Sequence, residues 1–369
     1  MDNTKISVTE LQEQLNKKQK VFILDVRPID QRKEWQIAES THLDAYERLN
    51  SGDNTVLDEI TIPENTTVVT VCAAGKTSLI ASEALRKKGI KAYSLDGGMK
   101  AWNYAWNKAE ITFASGLKII QVRRPAKGVL SYLIGSVNEA IVIDAALEPK
   151  IYQQFAKENG WTIKFVTDTH IHADYVSRTK ELALASGAKH LLIDKAVVEY
   201  SFTPISDKEV ISVGNSKLQF LHTPGHTLES TTIKVDDDAL ITGDTLFIDG
   251  VGRPDLKANE GETIIKSKQL HHSLSMLFPL TNSLLVLPAH TSKAVYFDDT
   301  LIGETLSAVK EKLDLLKLSE KEFIKFTLSR IPPTPPNYLM IASHNKKGSH
   351  EEDVVLSDLE AGGNHCAIS

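Results

Sequence analysis

Val68-Val69-Thr70-Val71 leads directly into Cys72-Ala73-Ala74-Gly75-Lys76-Thr77-Ser78, and a helical pattern over 79–88 follows until Gly89 stops it. A strand, a short turn with a thiol and a helix in that order place the turn at the carboxyl edge of a sheet, where open α/β sheets hold ligands. The neighbouring sequence has the same texture. Ser7-Val8-Thr9-Glu10 has the spacing of a capping box and predicts a helix to about Lys18. Val21-Phe22-Ile23-Leu24 and Ala92-Tyr93-Ser94-Leu95 read as further strands, and Gly97-Gly98 turns the chain into an aromatic helix holding Trp102 and Trp106. Strands that alternate with helices imply a parallel sheet.

From about Ile111 the pattern changes to closely spaced strands over 117–122, 129–134 and 140–143, separated by Gly, Pro and Asn turns. A helix over 149–159, a strand over 164–167 and a helix over 175–186 follow, with Gly160 and Gly187 as helix stops. More strands, over 217–221, 231–235, 239–241 and 284–287, each run into a turn carrying His or Asp. Pro332-Pro333-Thr334-Pro335-Pro336 must be extended, because proline fixes φ and lacks an amide donor. The polar stretch 343–352 reads as loose, and 354–359 as a segment that packs back on the body. A length of 369 residues suits two or three domains at roughly 100–200 residues each.

Composition excludes several function classes. Lys and Arg number 42 against 48 Asp and Glu, so no basic surplus exists to neutralise a nucleic-acid backbone. No apolar run is long enough to span a membrane, and the start MDNTKISVTE lacks the apolar core of a signal peptide, which points to the cytoplasm. Cys72 and Cys366 lie 294 positions apart, unlike the cysteines of a disulfide-stapled secreted domain, and Cys366 reads as a packing residue. Homo-oligomerisation is left open.

A thiol at the start of a helix feels the positive end of the helix dipole, and Lys76 adds a favourable charge, so Cys72 reads either as a thiolate nucleophile or as a small buried hydrophobe after a strand. The stretch resembles the rhodanese family of sulfurtransferases, whose active loop is a Cys-x-x-Gly-x-Thr/Arg-Ser turn. Asp25-Val26-Arg27 and Leu95-Asp96-Gly97-Gly98-Met99 with Ala101-Trp102 fit two further motifs of that family. The resemblance implies that Cys72 carries a persulfide sulfur, cradled by the loop amides of Ala73, Ala74, Gly75, Lys76, Thr77 and Ser78.

Thr169-His170-Ile171-His172-Ala173-Asp174-Tyr175, Thr223-Pro224-Gly225-His226, Thr242-Gly243-Asp244 and Leu287-Pro288-Ala289-His290 put metal-ligand side chains on four strand-end turns. His271-His272 reads instead as a solvated helix face. The four turns resemble the metallo-β-lactamase superfamily, whose first motif is His-x-His-x-Asp-His. Tyr175 stands where the last His of that motif belongs, which weakens a second metal site. His170, His226 and Asp244 remain, a two-histidine, one-carboxylate set suited to Fe(II). Within the superfamily the chain is most similar to persulfide dioxygenases, by the spacings of 56 and 18 positions between those residues, by Gly252-Arg253-Pro254-Asp255 and by Asn364-His365-Cys366. His290-Thr291-Ser292 departs from the Asp-Tyr pair that follows this turn in those dioxygenases.

These resemblances imply an α/β rhodanese domain with a parallel sheet over 1–108, followed by an αββα metallo-β-lactamase sandwich over 109–369. They imply one Fe(II) per chain on His170, His226 and Asp244. His172, Asp174, Tyr175 and His290 would stand beside it, orienting ligands or holding water, and Arg253 would reach a substrate pocket or pair with Asp255. The expected reaction takes a low-molecular-weight thiol persulfide and O2 to sulfite and thiol, with sulfur transfer at Cys72 making thiosulfate or running in reverse. The rival reading is a thioester hydrolase similar to glyoxalase II with two zinc ions, the second on Asp174, Asp244 and His290, and a rhodanese domain reduced to sensing or docking.

Overall fold

The computed structural model describes residues 4–349 and 353–369. Residues 350–352, the end of the stretch read as loose, lie outside the described residues. The N-terminal sheet has five strands in the order Lys5–Ile6, Ala92–Leu95, Thr67–Val71, Val21–Asp25, Ser40–His42, all parallel. Ser7 and Glu10 form the capping box, and the helix they start runs over Val8–Asn16. The helix after Cys72 begins at Lys76, three residues earlier than the apolar pattern suggests, because Gly75 takes the left-handed conformation that lets the turn close at once. The aromatic helix is short, Gly98–Trp102, and Trp106 falls beyond it.

The strand Asn107–Thr112 already joins the second sheet, so that sheet begins two positions before the expected boundary. Seven strands, from Thr203–Ile205 at one edge to Asn107–Thr112 at the other, face six strands that run from Val210–Val213 to Glu304–Thr305. Ile119, Tyr132 and Ile141 from the first layer meet Phe220, Ile233 and Ile241 from the second in one core. The helices Pro149–Glu158 and Thr179–Ser186 cover the outside of the seven-stranded sheet through Tyr152, Phe155 and Leu182. Glu260–Leu277 and Glu320–Ser329 cover the six-stranded sheet through Leu270, Leu274 and Phe323. The result is a helix-sheet-sheet-helix sandwich after a parallel α/β unit.

Two expectations near the C-terminus change. The helix Tyr338–Lys347 takes in the first half of the polar stretch and buries His344 and Asn345 there. The His271 ring is half-buried against Phe323 with a nitrogen 3.1 Å from the Leu318 carbonyl, and only His272 is exposed. The tail returns as read: Leu359 is buried against Val176 and Ile341. No helix among the described residues is long and apolar enough to cross a membrane.

Candidate functional site

Cys72 is buried at the end of Thr67–Val71. The Gly75 amide points at its Sγ from 3.2 Å, and the Ser78 hydroxyl lies 3.3 Å away and is itself bonded to Ser94 at 2.8 Å. Among the described residues no other loop amide is bonded to the thiol, and Lys76 and Ala74 are exposed. A side chain at position 98 would strike the Cys72 carbonyl at 2.3 Å, so the Gly-Gly turn is what allows the two loops to meet. Asp25 and Arg27, both buried, form a bidentate pair at 2.7 and 2.9 Å, and Arg27 also donates to the Trp35 carbonyl.

The second cluster lies where strands of both facing sheets end. His170 follows Thr162–Thr167, His226 follows Ser216–His222, Asp244 follows Ala239–Gly243 and His290 follows Leu285–Pro288. His170, His226 and Asp244 bring one ligand atom each within 4.8 Å of one another. Asp244 Oδ2 is buried without a hydrogen-bond partner and faces His170 Nε2 at 3.7 Å and His226 Nε2 at 3.5 Å.

Hydrogen bonds fix which nitrogens are free. His226 Nδ1 lies 2.8 Å from the Arg253 carbonyl, which only accepts, so Nδ1 carries the proton and Nε2 keeps its lone pair. The Thr169 hydroxyl donates to Asp144 at 2.9 Å and so accepts from His170 Nδ1 at 3.0 Å, freeing His170 Nε2 in the same way. Burial pushes both imidazoles down in pKa, which keeps them neutral. Burial opposes the charged form of Asp244, yet His290 and His170 hold it well below the usual carboxylate range. Two neutral nitrogens and an orphaned anionic oxygen fit a divalent cation. At position 252 a Cβ would meet the Asp244 carbonyl at 2.0 Å, so glycine there lets the Gly252-Arg253 backbone close on His226.

His290 sits between two carboxylates, with Nδ1 2.6 Å from Asp244 Oδ1 and Nε2 2.9 Å from Asp174 Oδ2. Burial alone would lower its pKa, but those carboxylates raise it to about 10, so an imidazolium bridges them. His172 Nε2 lies 3.0 Å from Asp144 Oδ1 and 2.9 Å from the Tyr175 hydroxyl, while its Nδ1 is buried and without a partner. Tyr175, buried, points its hydroxyl at His172 and the Asp144 carbonyl. The helix read as starting at Tyr175 starts instead at Thr179, because Asp168 takes hydrogen bonds from Ser177 and Thr179 and holds residues between them in a turn.

The expectation that Arg253 reaches a substrate pocket gives way to its alternative. Arg253 is fully buried, bidentate to Asp255 at 2.7 and 2.9 Å, and its other donors go to the carbonyls of Pro332, Pro333 and His365. It ties the proline strap and the tail to the loop behind His226. Cys366 also departs from simple packing: buried, it joins Asp244 and His290 in a group of ligand atoms within 4.8 Å, where burial and the Asp244 and Asp174 carboxylates push its thiol up.

Sequence reasoning missed three residues. Asn345 donates to the carbonyls of His172 and Tyr175 at 2.8 Å, and Asp144 anchors Thr169 and His172. Glu360 accepts from Arg124 at 2.7 Å and from the Val176 amide at 3.0 Å. The strand-end position of Asp144 was a usable signal; nothing local marked the other two.

A cavity of about 460 Å³ is lined by His226 of this cluster together with Ile171 and Ala173.

Residues 7–105 match the rhodanese-like domain, and residues 124–290 match the metallo-beta-lactamase superfamily. The mitochondrial persulfide dioxygenase ETHE1 of Mus musculus is 31% identical over 222 residues, covering 58% of this chain and 82% of that protein. The chain belongs to the persulfide dioxygenase family. The crystal structure of ETHE1 from Myxococcus xanthus superposes with a TM-score of 0.54 at 25% identity, over 66% of this chain and the whole of that one. Hydroxyacylglutathione hydrolase of Prochlorococcus marinus is more distant, 28% identical over 47% of this chain and 72% of its own length. Persulfide dioxygenase relatives therefore account for more of the chain than thioester hydrolases do.

Proposed function

We propose that the chain is an iron-dependent persulfide dioxygenase fused behind an N-terminal sulfurtransferase domain, the dioxygenase part beginning with the strand Asn107–Thr112, and that it works in the cytoplasm. The overall change is thiol persulfide plus O2 plus water to thiol, sulfite and two protons. The observation that carries this reading is the set of His170, His226 and Asp244, with both imidazole tautomers fixed and one buried carboxylate oxygen left without a partner.

In this reading His170 Nε2, His226 Nε2 and Asp244 Oδ2 hold one Fe(II). Bound iron supplies the redox centre at which O2 and the persulfide react. The chain's own residues do the positioning. His290 occupies Asp244 Oδ1 and so presents the carboxylate through one oxygen only. Its second contact, 2.9 Å from Asp174 Oδ2, sets a positive charge beside the acid that a second metal would need, although neither Asp174 oxygen has a hydrogen-bond partner. Tyr175 and Asp144 hold His172 beside the set, and the cavity at Ile171 and His226 admits the persulfide. Cys72 acts separately, accepting sulfane sulfur on Sγ against the Gly75 amide and Ser78 hydroxyl and passing it to sulfite or a thiol.

One observation favours the hydrolase reading: His172, Asp174 and His290 also bring ligand atoms within 4.8 Å. Metal analysis separates the two. The purified protein is expected to carry about one iron per chain, and Asp244→Ala to lose both the metal and O2 uptake with a persulfide. Two tightly held zinc ions with thioesterase activity, or a fully active Asp244→Ala enzyme, would refute the assignment.

A further inference from the structure

The cavity beside His226 has walls of two kinds. Ile171, Leu228, Ile265 and Tyr338 make it apolar, and Leu228, Ile265 and Val197 at its mouth are 58%, 57% and 73% exposed. Large apolar side chains held open around a cavity mouth mark a surface that a ligand covers. Lys195, Lys257, Lys266 and Lys346 line the same cavity, against only Glu229 and Glu262.

The charges are not balanced within the wall. Glu229 is committed to the Ile171 amide at 3.0 Å, and Glu262 to the Asn259 amide at 2.8 Å as part of a helix cap. Lys195 pairs with Asp194 at 3.2 Å. Among the described residues, no carboxylate lies within ion-pair distance of Lys257, Lys266 or Lys346. Burial pushes the Lys266 ammonium down to about 8 despite Asp255, Glu229 and Glu262, and burial and then repulsion from Lys346 lower Lys257. Lys257 also sits at φ 57, a left-handed conformation that costs free energy for a residue with a side chain. Lys266 is held by the Leu256 carbonyl at 3.1 Å, while Lys257, on a strained backbone, repels both Lys346 and Lys266, and an anion at these lysines relieves that repulsion.

We propose that this cavity selects persulfides whose thiol carrier has an apolar arm and a head with two or more negative charges and no cation, the head lying against Lys257, Lys266 and Lys346. The inference rests on the persulfide dioxygenase reading. The arm crosses the apolar wall, so the sulfur reaches the His226 side of the cavity while the head stays at the lysines. A carrier with an ammonium group fits poorly, because the wall carries four lysines against two carboxylates and the cation would approach three of those lysines. Two head chemistries satisfy the description, phosphate esters and clustered carboxylates.

The test uses three persulfides: coenzyme A persulfide with a phosphate head, N-acetylglutathione persulfide with two carboxylates and no cation, and glutathione persulfide, which adds an ammonium to the same skeleton. The expected order of kcat/KM places glutathione persulfide last. Preference for coenzyme A persulfide over N-acetylglutathione persulfide assigns the head to phosphate, and equal use assigns it to anionic charge alone. Lys257→Glu/Lys346→Glu is expected to lower the ratio of kcat/KM for coenzyme A persulfide over glutathione persulfide about tenfold, mostly through KM, with a smaller effect at high salt. Lys257→Gln/Lys346→Gln gives a milder shift in the same direction if the charge reversal perturbs folding. Calorimetric titration of the holoenzyme with free coenzyme A supplies a readout that needs no turnover. If glutathione persulfide is the best substrate and the ratio does not move in either variant, the proposal is overturned. Consumption of none of the persulfides would instead refute the dioxygenase reading, and coenzyme A titration would still decide what the cavity binds.

Discussion

Glu360→Gln tests the joint between the two halves of the molecule. Arg124 and Glu360 are each 1% exposed and meet at 2.7 Å, far from solvent screening. Glu360 Oε1 takes the Val176 amide at 3.0 Å, its carbonyl takes Asn103 and Lys127, and Arg124 also donates to the Asn103 carbonyl at 3.0 Å. The C-terminal tail, the helix Gly98–Trp102 of the first domain and the segment after Tyr175 thus converge on one residue, its carboxylate holding Arg124 and the Val176 amide and its main-chain carbonyl holding Asn103 and Lys127. Glutamine keeps the shape and removes the charge, leaving buried Arg124 without its nearest anion. Two charge-assisted hydrogen bonds at about 1.5–3 kcal/mol each agree with the roughly 3–5 kcal/mol seen when one partner of a buried ion pair is removed. For domains of this size that is a drop in Tm on the order of 10 °C. Thermal melts followed by near-UV circular dichroism and by limited proteolysis between the domains measure it. Arg124→Met/Glu360→Gln is expected to cost less than the sum of its two single variants, since removing both charges leaves neither stranded. A fall below about 2 °C for Glu360→Gln would refute the reasoning, because an unpaired buried guanidinium cannot be that cheap.

Cys72→Ser is expected to abolish sulfur transfer from thiosulfate to cyanide and to leave persulfide-dependent O2 uptake largely intact, since serine cannot carry a persulfide and Cys72 lies outside the metal cluster; the variant should release sulfite where the wild type releases thiosulfate, and unchanged transfer would rule out the assigned role. The pH dependence of the metal-free protein reports on His290. Its folded pKa of about 10 exceeds an unfolded value of about 6.5, so its stabilising contribution is complete below about 6.5 and is lost as pH rises through about 10. Asp174 and Asp244 are depressed by the same contacts, burial opposing, and their contribution is lost in the opposite direction, as pH falls below the usual carboxylate range. Melts of chelator-treated protein from pH 6 to 10 should show a decline that His290→Gln flattens; a parallel decline in both proteins would contradict the imidazolium bridge.

Much of the architecture was legible because it is written in short-range chemistry. The capping box at Ser7 and Glu10, the strand Thr67–Val71 and the glycines that end helices act within a few residues of themselves. Residues with a long-range role read less well. Arg253 has the same local appearance whether it faces a substrate or a carbonyl cage, and only its contacts with Pro332, Pro333 and His365 decide between them. Asn345 fell in a stretch that looks polar and loose, yet two carbonyls 173 and 170 positions away use its amide.

The sequence by itself determined the fold class, the two-domain order and the residue types of both reactive clusters, since strand periodicity, turn chemistry and motif spacing are properties of neighbouring positions. The tertiary structure decided the rest. Which nitrogen of His170 and His226 is free depends on Thr169 and on the Arg253 carbonyl, and whether His290 is charged depends on Asp174 and Asp244 arriving from different strands. Protonation, tautomer and burial are set by groups that meet only when distant strands pack, because the fields that shift them fall off within a few ångströms of space and have no fixed range along the chain.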